Sequence, residues 1–293
     1  MRDEPAAVAS DAGRYRALVS LHAAVLLFGV AGLFGKWIAL PATTIVFGRT
    51  AVAAVALGLL LRLAPARRGG FEWRMVVGGA VLALHWFAFF EAIQIASVAV
   101  GLLGYASFPL FVLLLERALL RARIRRFDGV IAGLVVAGLL ILLHGPGLDG
   151  RVAHGLAWGL VAGFSFALLA VGNRALAARR APGAIAFWQN ACAAACLAPA
   201  LLVAPVLPTA RDIALLLVLG VVCTALAHTL FIRSMRVVSA HTASVVAALE
   251  PAYGIVLATL LLDEVPDART VAGALLIVGA ALAASARATQ IPR

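Results

Sequence analysis

Among the 13 acidic residues, 24 Lys and Arg and six His of this 293-residue chain, four side chains inside long apolar runs could do chemistry: Arg49, His85, Glu91 and Glu250. Glu250 directly precedes Pro251, and a carboxylate at that depth is costly unless it faces water or a cation. A binding or coupling role competes with simple snorkelling toward the nearer membrane face. Arg49 is its most economical opposite charge, but Glu91 competes as partner, and both pairings stay open. His85 stands beside Trp86, and His85, Phe89 and Ala92 share one helical face at i, i+4 and i+7. Such a histidine could bind a solute, carry a proton, or make a structural hydrogen bond.

Aromatic residues at similar depth could line an apolar cavity or simply pack helices. They are Trp158, Trp188 beside Gln189 and Asn190, and Tyr105 and Tyr253, which flank Pro109 and Pro251. An aromatic cavity with few charges suits amphiphilic solutes. Each proline removes a backbone hydrogen bond and frees a carbonyl, so kinks are expected at both, facing a covered central space or serving helix packing alone. Catalytic motifs are missing: there is no H-E-x-x-H, no G-x-S-x-G, no Cys/His cluster and no nucleotide loop. No metal, no cofactor and no enzymatic role is expected. The lack of a nucleotide loop counts against a primary pump, and no filter-like segment suggests a channel. Cys192, Cys196 and Cys223 read as small buried residues.

The elements that must position these groups are membrane helices. At 64% hydrophobic residues, 13% charged residues and a mean hydropathy of +1.05, one soluble core could not bury the apolar surface. A lipid bilayer is the expected solvent. The net charge of +11 sits in short connections, so no nucleic-acid partner is expected. A bilayer needs about 20 helical residues per crossing, and ten runs of that order occur: 17–37, 42–62, 74–94, 98–116, 128–144, 154–174, 183–206, 212–232, 240–262 and 270–286. All but five of the 24 Lys and Arg fall on one side of this pattern, the others being Lys36, Arg49, Arg151, Arg211 and Arg269. The positive-inside rule then puts both termini in the cytoplasm. The start of the chain is polar and carries no signal-like segment, so the first run reads as a true helix.

An offset of 142 residues aligns Gly78, Ala83, Leu84, Phe89, Ser97 and Pro109 with Gly220, Ala225, Leu226, Phe231, Ser239 and Pro251. Five helices per copy is an odd number, so the second copy crosses the membrane inverted. Charges swap accordingly: the basic run from Arg121 to Arg126 corresponds to Asp263, Glu264 and Asp267. The fold expected is all-α and integral to the membrane, with ten transmembrane helices as two inverted five-helix repeats. Its parts are a cytoplasmic tail 1–16, repeats 17–144 and 154–286, and a tail 287–293. Inverted repeats can open a central site to either side in turn. Gly155, Gly159 and Gly163 read as a close-packing face, and Gly29, Gly32 and Gly35 as packing or hinge positions.

The segment Ala247-Ala248-Leu249-Glu250-Pro251-Ala252-Tyr253, running on to Leu261-Leu262-Asp263-Glu264 and then Gly273 and Gly279, resembles the EamA-type repeat of the drug/metabolite transporter superfamily. The likeness spans nearly the whole chain. The first half departs from it, with Phe108 before Pro109 and Arg121-Ala122 after the fourth run. The resemblance implies a secondary transporter in a bacterial inner membrane, working as a monomer and exporting amino acids or related metabolites. It leaves proton coupling and facilitated diffusion both open, and multidrug carriage as the alternative.

Overall fold

The computed structural model describes residues 11–63, 70–120, 126–143, 150–203, 205–238, 243, 246–247 and 249–288. Arg67, Arg68, Arg121, Arg123, Arg125, Ser239 and Ala248 lie outside them. The first half holds α1 (Asp11–Trp37), α2 (Ala42–Leu63), α3 (Trp73–Ile95), α4 (Val98–Tyr105), α5 (Phe108–Leu120) and α6 (Arg126–Leu143). The second holds α7 (Gly150–Ala177), α8 (Pro182–Val203), α9 (Ala210–Gly220), a π-helical turn (Val221–Leu226), α10 (Ala227–Ser234), α11 (Glu250–Leu262) and α12 (Ala268–Ala288). Six spans are long and apolar enough to cross a bilayer alone, and four shorter apolar helices complete the set of ten. The protein is an all-helical, multi-pass bundle of two inverted five-helix repeats.

Two departures from the expected runs have physical causes. The fourth run splits into α4 and α5 at Ala106 and Ser107, because Pro109 lacks an N–H and its ring excludes the carbonyl four residues earlier. Ser107 closes the gap by donating its hydroxyl to Gly104 O at 2.7 Å. The eighth run stays continuous but widens into the π turn, which puts carbonyls out of α register. At the N-terminus, α1 begins at Asp11, inside the stretch expected to be a tail.

Exposed Val55, Leu60, Leu202, Leu260 and Leu275 give the bundle an apolar jacket, as lipid requires. Inside, small residues let backbones meet. A Cβ on Gly159 of α7 would lie 2.8 Å from the Cα of Gly104 of α4, and one on Gly163 would lie 2.9 Å from Tyr105 O. The glycine stripe therefore clamps α7 to the broken helix, and α1 packs in the same way against α11 of the second half and α3 of its own. A Cβ on Gly29 would come within 3.1 Å of Tyr253 Cβ, and one on Gly35 within 2.9 Å of Ile93.

The two ends of the bundle are tied differently. On the face where α1 starts, Glu72 meets Arg180 at 3.2 Å and Arg74 and Arg179 at 3.7 Å. On the opposite face, Lys36 lies 3.8 Å from Glu264 and donates to Ala96 O at 3.1 Å. Glu264 also accepts from the Val98 N–H at 3.0 Å, so its carboxylate sits at the positive start of α4. Asp263 makes this possible by turning the chain at φ 55°, a left-handed conformation that aspartate tolerates better than most residues.

Candidate solute-binding site

The site is built around Arg49, which α2 carries roughly 10 Å along its axis from its first residue. The side chain is 1% exposed, and its cost is met from the second half of the molecule. Arg49 Nε donates to Thr224 Oγ1 at 2.9 Å, and Nη2 donates to Cys223 O at 3.3 Å. Both acceptors belong to the π turn. In an α-helix the Ala227 N–H would bond Cys223 O; across the wider turn it donates to Val222 O and Thr224 O instead, and Cys223 O accepts from arginine, while the Thr224 hydroxyl donates to Leu219 O at 2.7 Å. Such π insertions frequently mark functional positions. Gly220 allows the approach, since a Cβ there would lie 2.5 Å from Val52 on α2.

Aromatic faces complete the seat. The guanidinium carbon lies 4.0 Å from the centre of the Trp86 ring and 5.3 Å from that of Phe90, where the negative ring faces attract the cation. A guanidinium offers five N–H donors in a fixed fork. Thr224 and Cys223 take two, and Arg49 is one of the residues that line a central cavity.

That cavity is walled by Phe28 of α1, His85 and Phe89 of α3, Tyr105 of α4, Phe166 and Asn173 of α7, Phe231 and His228 of α10, and Glu250 of α11. Glu250 is 4% exposed and faces both the Tyr105 hydroxyl and the Arg49 charge. His85 Nδ1 lies 2.9 Å from Ala162 O; the carbonyl only accepts, so Nδ1 carries the proton and Nε2 is the ring's remaining polar atom. His228 Nδ1 lies 3.4 Å from Asn190 Nδ2, and its ring meets Trp86 edge-on at 5.9 Å. The cavity thus presents a cation, a carboxyl group, two imidazoles and a phenol between aromatic walls. Its free volume is about 30 Å³, room for about two water molecules at roughly 10–15 Å³ each. A larger solute requires the walls to separate.

Of the residues singled out in the sequence, Arg49, His85, Trp86, Tyr105 and Glu250 share this cavity, and Pro109 and Pro251 sit beside Tyr105 and Glu250. The others lie elsewhere. Trp158 packs edge-on against Phe87 at 5.3 Å on the outer flank of the α3–α7 seam. Trp188 meets Phe71 at 5.0 Å and Phe187 at 5.2 Å and borders a lateral groove with Val55 and Leu59. Tyr253 lies in the seam between α11 and α1, against Gly29. Glu91 is half-buried, outside the cavity lining. No ion pair within 4.0 Å joins Arg49 to Glu250 or Glu91 among the described residues; hydrogen bonds and ring faces hold the guanidinium instead. Sequence reasoning missed Thr224, His228 and Asn173. The 142-residue offset, which sets His228 against Trp86, was the available signal for one of them.

Duplicated, inverted halves enclosing a polar centre in a lipid-facing bundle define a membrane transporter. The chain belongs to the EamA-like transporter family, whose model matches residues 16–144 and 153–286. It is 32% identical over 255 residues to the pseudopaline exporter CntI of Pseudomonas aeruginosa, covering 84% of this chain and 87% of that protein. It is 23% identical over 271 residues to the uncharacterized transporter YxxF of Bacillus subtilis, covering 89% and 86% respectively. A crystal structure 21% identical in sequence superimposes with a TM-score of 0.68 over 93% of this chain and 98% of its own, which shows a shared fold.

Proposed function

We propose that the protein is a secondary carrier that exports amino acids or closely related zwitterionic metabolites by alternating access between its two halves. One observation carries this reading: Arg49, from the first half, and Glu250, from the second, line the same small cavity without pairing directly. A fork of N–H donors suits a carboxylate, a carboxyl group suits an ammonium, and the aromatic walls suit an apolar side chain. A solute held between charges from different halves is released when the halves separate, which is what alternating access needs. The exporter among the relatives supports the outward direction. The basic face at the termini supports a cytoplasmic location for both ends, in the inner membrane of a bacterium, with the monomer as the working unit.

Proton coupling, if used, runs through Glu250, the carboxyl group among the described residues that lines the cavity. The test is solute counterflow in proteoliposomes with labelled amino acids, nucleosides and cationic drugs. Saturable exchange of amino acids, stimulated by unlabelled solute on the far side, is the expected result; exchange of the drugs alone would replace the reading with multidrug carriage. An outward-directed pH gradient distinguishes coupled from facilitated transport, and Glu250→Gln is expected to remove any response to it.

A further inference from the structure

The central cavity has a much larger neighbour on the face where α1 starts. Between α3, α7 and α8 runs a groove of about 450 Å³, with Trp73, Val77, Val81 and Leu168 as apolar walls. It shares Leu169 and Asn173 with the central cavity, so the two spaces are separated by one layer of side chains. That layer contains a hydrogen bond of 2.6 Å from Gln189 Nε2 to Asn173 Oδ1.

Gln189 is fully buried, lines the groove, and its second polar atom, Oε1, has no partner. Leaving a buried amide oxygen unpaired costs about 1–3 kcal/mol, which points to a donor that arrives from outside the fold. Two glycines shape the space. A Cβ on Gly78 would lie 2.4 Å from Gln189 Nε2, so α3 leaves room for the amide; a Cβ on Gly172 would meet nothing within 4 Å, so α7 leaves the groove open.

We propose that this groove is a second solute site, an antechamber taking a small amino-bearing amphiphile. The solute's amino donor is accepted by Gln189 Oε1, its apolar side chain rests on Trp73 and Val77, and the Asn173–Gln189 pair is the partition to be opened toward the central cavity. The occupant is the transported zwitterion itself, so the inference rests on the carrier reading above. Continuity with the central cavity through Asn173, together with an unpaired acceptor, favours a solute over a lipid tail, which would leave that oxygen bare.

The open space around Gly172 allows a direct test. Gly172→Phe puts a ring at a groove position where a Cβ would meet nothing within 4 Å, and Gly133→Phe, on the exposed side of α6 with equally open surroundings, controls for the added ring. In proteoliposomes exchanging a labelled mixture of neutral L-amino acids, Gly172→Phe is expected to lower counterflow at least tenfold while Gly133→Phe leaves it unchanged. Equal flux in the two variants overturns the antechamber. Should Gly172→Phe fail to fold, Gly172→Cys with the three native cysteines replaced by serine supplies a second reading. The amino-acid mixture is expected to slow modification of this thiol by a water-soluble maleimide at least threefold. No slowing, or modification only by a lipid-soluble maleimide, assigns the groove to lipid and overturns the proposal. Absence of exchange by the unmodified protein would instead bring down the carrier reading on which this one rests.

Discussion

Phe108 in the first half and Glu250 in the second stand 142 residues apart, each directly before a proline, and they do opposite things. Phe108 is fully buried against Tyr105 at 5.3 Å and Phe166 at 5.1 Å, while Glu250 turns a carboxyl group into the cavity. Trp86 and His228 form a second matched pair, brought ring to ring at 5.9 Å. Leu82 and Thr224 form a third: the leucine is a cavity wall, and the threonine holds Arg49 at 2.9 Å. Even the helices differ, since α3 is regular where its counterpart carries the π turn. Duplication supplied the bundle twice over, and chemistry was then written into each copy separately. The cation and the rings it lies against come from one half, and its hydrogen-bond acceptors and the carboxyl group come from the other.

The strongest way to break this division of labour is at Arg49. Arg49→Lys keeps the charge but loses the planar fork shared between Thr224, Cys223 and the solute. Counterflow of amino acids is expected to fall on the order of 30-fold, equivalent to about 2 kcal/mol for lost charge-assisted hydrogen bonds, with folded protein retained on size-exclusion chromatography. Flux above half of wild type would remove Arg49 from the site.

The asymmetry of the proline-linked pair is tested next. Glu250→Gln is expected to lower counterflow about tenfold, roughly the worth of one charge-assisted contact. Adding Phe108→Glu to that variant should not restore it, because position 108 faces a closed aromatic stack. Restoration would show that the halves are interchangeable at this point. Thr224→Val, which removes the Nε acceptor while preserving shape, is expected to raise KM about fivefold, in line with roughly 1 kcal/mol for one hydrogen bond. The smallest effects belong to the outer flank: Trp158→Ala and Trp188→Ala should leave KM within about twofold of wild type, as substitutions distant from a site usually do. A tenfold change at either would place the binding surface outside the central cavity.

The helices were legible because lipid demands long apolar runs, and the break after Tyr105 was legible in Pro109. The π turn was not, since Val221-Val222-Cys223-Thr224-Ala225-Leu226 reads like any apolar helix and its register is set by packing on Arg49 and Val52. Arg49 and Glu250 stood out because charges at that depth are expensive; what holds Arg49 did not, because its partners are a backbone carbonyl and a hydroxyl. Trp158 and Trp188 stayed open between cavity lining and helix packing for a plain physical reason. In a membrane protein the outer surface is as apolar as the interior, so hydrophobicity cannot say which way an aromatic side chain points.

The claim that opposite charges from the two halves grip a zwitterion is tested most directly by taking the charges off the solute one at a time. An exchanged amino acid, its methyl ester without the carboxylate, and its N-acetyl form without the ammonium can compete for counterflow in wild type, Arg49→Lys and Glu250→Gln. Wild type is expected to prefer the free amino acid to both derivatives, Arg49→Lys, which keeps the charge but not the fork, to narrow that preference over the ester, and Glu250→Gln to lose it over the N-acetyl form. Identical preferences in all three proteins would contradict the claim.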